Sequence, residues 1–239
     1  MCTRGSAAIV FAVAYWLWSI MPAGAQSTGA RFLLFSGSDV WAHGSFLYGG
    51  TLWSPGGLDN AGFTLKALLS GGTYNYVSGA LGGAEVGGRE FVAQVLPGWR
   101  FKSGATEFKI FAGLDIESHA LSPNDPSSKL NGGDVGFRAA FEFWTEPTAD
   151  TMIQADGSAS TIAGNYAAHV ATGWRLTNRF YLGPEVQAFA SDGYRQRRIG
   201  VHLTGLKIGD TEWSAAAGYA VDSDERSSAY ARFGVSRRY

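Results

Sequence analysis

The feature that most constrains the fold is a period-two alternation on both sides of one turn, between Arg179 and Lys207. The apolar face of the first arm carries Phe180, Leu182, Pro184, Val186, Ala188 and Ala190. Strand side chains point alternately to the two sides of a sheet, so the pattern predicts a β-hairpin turning at Ser191-Asp192-Gly193. Each arm has about the 9–11 residues that a membrane-spanning strand needs, more than the roughly 5–6 of a typical soluble strand.

The composition agrees with a β protein whose outer face meets an apolar environment. Charged residues make up only 16% of the 239 residues, against about 25% in an ordinary soluble protein. Glycine is frequent, with 33 residues, and aromatic residues reach 14%. The net charge of −1 gives no reason to expect a nucleic-acid partner.

The first residues have the organisation of a signal peptide. Arg4 is a positive start, Ala7–Ile20 is an apolar run, and Ala23-Gly24-Ala25 is a small-x-small cleavage site. The apolar run is too short for a transmembrane helix. We therefore predict a signal peptide over residues 1–25, cleaved after Ala25, and a single β-barrel domain over residues 26–239.

The rest of the chain divides into twelve predicted strands. They cover residues 31–41, 45–54, 61–76, 89–101, 105–117, 133–145, 151–161, 166–176, 179–190, 195–207, 211–221 and 228–239. The longest connections, 77–88 and 119–132, both follow odd-numbered strands, so long loops gather on one rim. This pattern predicts an all-β fold, a single antiparallel up-and-down barrel in the bacterial outer membrane, with both termini on the periplasmic side.

A soluble β-sandwich is the alternative fold, because its strands also alternate. A sandwich turns its apolar face inward and its polar face to water, and it normally carries more charge than this chain. It would also not segregate long loops to one rim. The barrel is therefore the favoured prediction.

In a barrel the polar faces line the lumen, and the hairpin contributes a charged group there. Antiparallel pairing predicts that Gln187 lies opposite Arg198, with Glu185 near Gly200 and His202. Such a cluster favours either a polar passage that contacts polysaccharide or an interior closed by ion pairs. Barrels of about 8 strands are filled and those of 16–18 are open, so twelve strands leave both interpretations open.

Further candidates for polysaccharide contact are Arg138, on a polar face, and two tryptophans, Trp53 and Trp144, which we expect to face the lumen. Tryptophans stack on sugars, but they also form girdles where a barrel crosses the membrane interface. The tryptophans near strand ends are Trp41, Trp53, Trp99, Trp144, Trp174 and Trp213. The girdle explains most of them without a ligand.

Signals for catalysis are weak. Ser158, His169 and Asp156 lie on two neighbouring predicted strands, but no nucleophile-elbow motif marks the serine. No HxH or HExxH spacing indicates a metal site, and Cys2, the single cysteine, is lost with the signal peptide. We therefore predict a protein that is not an enzyme and has no cofactor or metal.

Several motifs resemble one known family. They are Trp53–Asp59 (WSPGGLD), Gly62–Lys66 (GFTLK), Val95–Phe101 (VLPGWRF), Phe111–Asp115 (FAGLD), Leu121–Pro126 (LSPNDP) and Phe180–Gln187 (FYLGPEVQ). As a set they are similar to the cellulose biosynthesis protein BcsS family, over nearly the whole mature chain. The resemblance implies an exported accessory protein of cellulose production, with cellulose, other cellulose-secretion proteins and outer-membrane lipid as partners. It carries over no functional residue.

Two functional hypotheses follow. The first is a non-enzymatic outer-membrane barrel that assists cellulose biosynthesis or secretion, or anchors the polymer at the surface. The alternative is an outer-membrane enzyme that modifies a lipid or glycan at the loop rim. A serine or aspartate at that rim, within hydrogen-bond reach of a histidine, would favour the enzyme.

Overall fold

The computed structural model describes residues 29–177, 179–192 and 194–239. The predicted signal peptide and its cleavage site lie outside these residues and stay a prediction, as does the place of Gly193 in the hairpin turn. Among the described residues, no helix is long and apolar enough to cross a membrane.

The described chain is a closed antiparallel barrel, which confirms the predicted fold and strand number. Its strands are β1 (Phe32–Trp41), β2 (Gly44–Trp53), β3 (Gly62–Ser78), β4 (Ala84–Ser103), β5 (Thr106–Ser122), β6 (Gly132–Thr148), β7 (Thr151–Ser160), β8 (Tyr166–Leu176), β9 (Phe180–Ser191), β10 (Tyr194–Ile208), β11 (Thr211–Asp222) and β12 (Ser227–Arg238). Each strand pairs with its neighbours in sequence, and β1 pairs with β12. Closure pairs the backbone of both end strands, which a bilayer requires because it offers no water to unpaired groups.

The two faces of the wall follow the alternation read from the sequence. Phe141 and Ala217 are exposed on the outer surface, whereas Arg138 and Gly218 face the lumen, as expected. Large apolar side chains are exposed on the outer surface of most strands, whereas most of the charged side chains within the strands alternate with them and face inward. This arrangement buries polar groups in the lumen and presents hydrocarbon to lipid.

Four strands, β3 to β6, are longer than the sequence predicted and form a tall wall. They have 17 to 20 residues each, whereas the other eight have 10 to 15. The predicted loops 77–88 and 119–132 were therefore too long. Only residues 79–83 and 123–131 connect these strands in the structure.

The glycines at the start of β4 explain this error. Glycine-rich sequence predicted a loop, but Gly88 is paired in the sheet with Tyr74 of β3. A Cβ atom at position 88 would lie 2.3 Å from the ring of Tyr74, so the glycine makes room for an inward-facing aromatic ring. The absence of a side chain here permits close packing rather than a turn.

We call the rim at the start of β1 and the end of β12, with the even-numbered connections, the turn rim. Its longest turn, residues 54–61, folds into the barrel. Leu58 of this turn is buried and packs with Leu52, Leu96 and Phe111, and we call these four residues the apolar plug. The carbonyl oxygen of Leu58 accepts a hydrogen bond from the guanidinium of Arg100. The plug fills the β2–β5 side of the lumen at this end.

The opposite rim, which we call the loop rim, is tied together by contacts between loops. The carboxylate of Asp192 accepts hydrogen bonds from the Ser128 hydroxyl at 2.9 Å and the Lys129 amide at 2.6 Å. The carboxylate of Asp224, between β11 and β12, accepts one from the amide of Val77 at 2.9 Å. The loops therefore form an ordered polar surface.

Asp125 fixes the longest loop of this surface. Its carboxylate accepts hydrogen bonds from the hydroxyl and amide of Ser127, at 2.7 and 2.9 Å, and from the hydroxyl of Tyr76 at 2.9 Å. The Ser127 hydroxyl, with these other donors, holds the pKa of Asp125 well below its usual range. The ionised carboxylate is therefore the form that orders this loop.

Candidate functional site

The middle of the lumen is occupied by a group of polar side chains around Glu185 of β9. The Glu185 side chain is 1% exposed. Its carboxylate accepts hydrogen bonds from Arg232 at 2.6 Å, Tyr230 at 2.7 Å and Gln187 at 2.8 Å, and lies 3.2 Å from Nε2 of His169. We call these five residues the central cluster.

The central cluster spans the lumen. Arg232 and Tyr230 belong to β12, which is three strands from β9 in the barrel. Their hydrogen bonds to Glu185 therefore cross the barrel interior. A buried carboxylate is costly unless its charge is matched and its oxygens accept hydrogen bonds. Both conditions are met at Glu185.

The hairpin register is as the sequence predicted. Gln187 pairs with Arg198, and Glu185 pairs with Gly200 two residues along. All the predicted polar members of this hairpin, His202 included, are buried in the lumen. The expected ion partners are wrong, however, because Glu185 binds residues of β8 and β12 instead of Arg198 and His202.

Arg198 instead bonds across the lumen to β1. Its Nη1 lies 2.8 Å from both carboxylate oxygens of Asp39. The guanidinium carbon also lies 4.9 Å from the ring centroids of Trp41, Phe189 and Tyr230. A guanidinium surrounded by aromatic rings and paired with a carboxylate is held in one position, which indicates a structural lock.

The imidazole of His202 contacts two threonines. Its Nε2 lies 3.1 Å from the carbonyl oxygen of Thr172, and its Nδ1 lies 2.9 Å from the hydroxyl of Thr204. The imidazole therefore joins β10 to β8 through backbone and hydroxyl groups.

A third cross-lumen lock lies toward the turn rim. Glu142 of β6 accepts hydrogen bonds from Lys66 of β3 at 2.6 Å and from Lys109 of β5 at 2.9 Å. Like β9 and β12, β3 and β6 are three strands apart. Ion pairs thus bridge the lumen at three places.

The remaining candidate cation, Arg138, binds residues on both sides of its strand. It contacts Asp115 at 2.8 Å and Glu117 at 3.0 Å, and it donates to the hydroxyl of Ser158 at 3.2 Å. Arg138 and the central cluster are therefore separate sites.

The serine–histidine–aspartate set considered from the sequence comes together only in part. Nδ1 of His169 lies 3.0 Å from Asp156, but its other nitrogen faces Glu185. The hydroxyl of Ser158 accepts a hydrogen bond from Arg138. The serine therefore has a cation, not the imidazole, as its partner.

The two candidate tryptophans lie on opposite faces. Trp144 faces the lumen as predicted and packs edge-on against Tyr181, with ring centroids 5.9 Å apart. Trp53 was expected to face inward, which is wrong: it stacks on Phe32 and meets the edge of Phe63, both exposed on the outer surface. The tryptophan that sequence reasoning missed in the lumen is Trp41.

Trp53 belongs instead to a girdle at the turn rim. Trp99 and Trp174 are outward-facing and about half exposed near the same end of their strands. Trp213 packs against exposed Phe233, with centroids 5.4 Å apart. The predicted interface girdle is therefore present on this rim among the described residues.

A second polar group, which the sequence analysis missed, lies toward the loop rim. Glu90, Glu117 and His119 place potential metal-ligating atoms within 4.8 Å of one another, and we call them the upper cluster. Glu117 and His119 are two residues apart on one face of β5, and Glu90 of β4 pairs directly with His119. The Glu-x-His spacing was the available signal, but its third member depends on strand register.

Between the central cluster and the turn rim lies a polar cavity of about 250 Å³. Its lining includes Tyr48, Asp156, Thr204, Glu212 and Ser214. It is smaller than the roughly 300–1,000 Å³ of most small-molecule sites.

Solved structures of other β-barrels resemble this fold. An outer membrane channel from Pseudomonas putida F1 is 10% identical, with a TM-score of 0.52, over 92% of this chain and 100% of that one. The KdgM porin is 13% identical, with a TM-score of 0.50, over 87% of this chain and 99% of that one. Likeness at this identity concerns the fold alone. A comparison with curated proteins finds no match.

The sequence itself identifies a family. The family model described as "Cellulose biosynthesis protein BcsS" matches residues 33–239, which span every strand of the barrel except the first residue of β1. The barrel fold is compatible with a cellulose-related protein of the outer membrane. The chain belongs to the cellulose biosynthesis protein BcsS family.

Proposed function

We propose that this protein is a non-enzymatic accessory of cellulose biosynthesis that retains the polymer at the cell surface, and that the polymer does not pass through its lumen. The observation that carries the proposal is the burial of charged residues inside the barrel. Glu185 and Arg198 are 1% and 5% exposed, and each is bonded across the lumen. Charged groups of an open, water-filled channel would be solvated instead.

The turn rim supports the same conclusion. The apolar plug packs leucine and phenylalanine side chains inside the lumen, where a conduit for a polysaccharide would present polar and aromatic surface. Arg100 anchors the turn that carries Leu58. Opening this end would expose the plug to water and break that bond.

With the lumen bridged by ion pairs and plugged at the turn rim, the surface available to a polymer is the loop rim. Bonds among the loops give it a defined shape, and an even strand number places this rim outside the cell when the termini are periplasmic. A preordered polar surface binds a polar polymer without the entropic cost of ordering loops.

The contacts of His119, near the loop rim, favour a binding role over an enzymatic one. His119 lies 3.1 Å from the hydroxyl of Tyr74 and 3.3 Å from Glu117. No serine or aspartate of the described residues makes a side-chain hydrogen bond with it. At His119, the pairing of a base with a serine or aspartate that a hydrolase uses is not formed, which supports the binding role.

A gene deletion tests the proposal when cell-bound and released cellulose are measured separately. We expect total cellulose to stay near the wild-type level while the cell-bound fraction falls, and a plasmid copy to restore retention. The purified barrel in a planar bilayer should show no sustained conductance.

Two results would contradict this function. Loss of total cellulose together with a stable conductance would indicate a secretion channel. A mass change in lipopolysaccharide or cello-oligosaccharides incubated with the purified barrel would indicate an enzyme.

A further inference from the structure

We propose that the upper cluster, Glu90, Glu117 and His119, is a binding site for one divalent transition-metal ion, of which Zn²⁺ is the simplest probe. The site is independent of the proposed retention of cellulose. It is argued from the geometry, the hydrogen bonds and the charge of these residues.

The geometry fits one small ion. Strand alternation turns Glu117 and His119 to the same side of β5, and Glu90 reaches the same point from the adjacent strand. Their ligand atoms lie within 4.8 Å of one another. Two ligands at about 2.0–2.2 Å from a zinc ion are at most about 4.4 Å apart, so small side-chain rotations bring all three into range.

The histidine is oriented as a ligand should be. Its Nδ1 lies 3.1 Å from the hydroxyl of Tyr74, and its Nε2 points toward Glu117 at 3.3 Å. When Nδ1–H donates to Tyr74, the lone pair of Nε2 is directed into the cluster. Ligating histidines normally donate the N–H of their other ring nitrogen to an acceptor, because that bond fixes the tautomer and the orientation of the ring.

The carboxylates have more negative charge than their surroundings balance. Half-buried Glu90 makes no side-chain hydrogen bond or ion pair with a described residue. Oδ1 of fully buried Asp115 has no hydrogen-bond partner among these residues either. Among the described residues, Arg138 is the one guanidinium that pairs with Asp115 and Glu117. Their other donors, Ser160 and Asn165, are neutral and leave the charge unbalanced. Three carboxylates near one guanidinium leave a charge that a divalent cation would neutralise.

The donor set defines the class of ion. One imidazole and two carboxylates suit zinc and neighbouring transition metals, whereas calcium and magnesium prefer oxygen ligands alone. Three protein ligands leave a fourth position of a tetrahedral ion for water or another ligand.

The test uses untagged mature protein, refolded into detergent, stripped with a chelator and dialysed against Zn²⁺. Elemental analysis by mass spectrometry should find about one zinc per folded chain. Glu90→Gln should weaken binding at least tenfold, since loss of an outer-shell partner alone costs about 10–100-fold. Glu212→Gln, the same change in the turn-rim cavity, should bind zinc like the wild type.

Folding is checked by the heat-dependent gel mobility of the barrel. A folded wild-type barrel that retains no zinc overturns the proposal, and so does a Glu90→Gln barrel with wild-type affinity. The wild-type measurement decides the matter if the variant does not fold. Stronger retention of Ca²⁺ than of Zn²⁺ would likewise contradict a site that uses an imidazole.

Discussion

The central cluster and the upper cluster both contain glutamate and histidine, but the charge of the glutamate is balanced differently in each. In the central cluster, Glu185 is matched by Arg232 and accepts further hydrogen bonds. In the upper cluster, Glu90 has no such partner among the described residues and lies beside the carboxylate of Glu117. The carboxylate of Glu185 is therefore neutralised within its own cluster, whereas the second group has room for a cation. The balance of charge, rather than the residue composition, distinguishes a structural ion-pair cluster from a candidate metal site.

Topology explains the difference. Glu185 receives its cation from β12, a strand three positions away in the barrel. The Arg232 side chain crosses the barrel interior to reach it. The upper cluster lies on two adjacent strands of the tall wall, near its loop end. A partner for Glu90 would have to come from a neighbouring strand or from solution.

The largest test of this contrast removes the cation of the central cluster. Arg232→Met should lower the free energy of unfolding by about 3–5 kcal/mol, because it leaves Glu185 buried without its cation. Arg237→Met at the turn rim should cost about 1 kcal/mol or less, since its ion pair with Asp210 is solvated. Urea unfolding in lipid vesicles measures both, and equal costs would mean that the cluster is not desolvated.

The comparison also depends on which face of the wall looks into the lumen. Ala217→Arg would place a charge in lipid and should cost about 2–4 kcal/mol, blocking assembly. The matched variant is Ser214→Arg on the same strand, which points into the cavity that contains Glu212 and should assemble. Gly218 cannot serve as the control, because a Cβ atom there would lie 2.2 Å from the carbonyl oxygen of Ile199. Equal assembly of both arginine variants would show that the faces are misassigned.

Charge removal at each carboxylate should change stability in opposite directions. Glu185→Gln places an amide nitrogen against existing donors, and we expect a loss of about 1–3 kcal/mol. Glu90→Gln, in metal-free protein, relieves repulsion and should stabilise by up to about 1 kcal/mol, the scale of a cross-strand pair. Unfolding curves without zinc give both values. A loss at Glu90 would mean that an unrecognised partner already balances it.

Glu185→Gln also separates structure from function at the central cluster. If the variant assembles and both conductance and cellulose retention are unchanged, the cluster only locks the barrel. Altered retention with normal assembly would instead indicate contact with the polymer.

The sequence could predict what depends on neighbours along the chain. Alternation identified the strands and the faces, and the register of Gln187 with Arg198 followed from the hairpin turn. It could not predict that Arg232 binds Glu185, because no local pattern relates β9 to β12. The same limit hid the upper cluster, whose third ligand, Glu90, is 27 residues before Glu117.

Errors at strand ends have a different cause. Trp53 lies on the outer face with Leu47, so strict alternation within β2 was the signal that would have placed it. Gly88 was taken as part of a loop, although its role is to admit the ring of Tyr74. Glycine composition alone does not distinguish these uses, because the ring that fills the space comes from another strand.

The smallest effect concerns the loop above the upper cluster, where Asp125 binds Tyr76, whose ring stacks on Tyr74. The pKa of Asp125 is lowered in the folded state by the Ser127 hydroxyl and its other donors, so its contribution to loop order is present above the ordinary Asp pKa of about 3.9. This contribution should be lost progressively as the pH falls below that value.

A fluorophore on Lys129→Cys should lose anisotropy in that acid range. Asp125→Asn should show the low value already at pH 7, and Asp150→Asn, on the opposite rim, should behave as wild type. If neither acid nor the Asp125→Asn substitution lowers the anisotropy, other contacts hold the loop over the upper cluster.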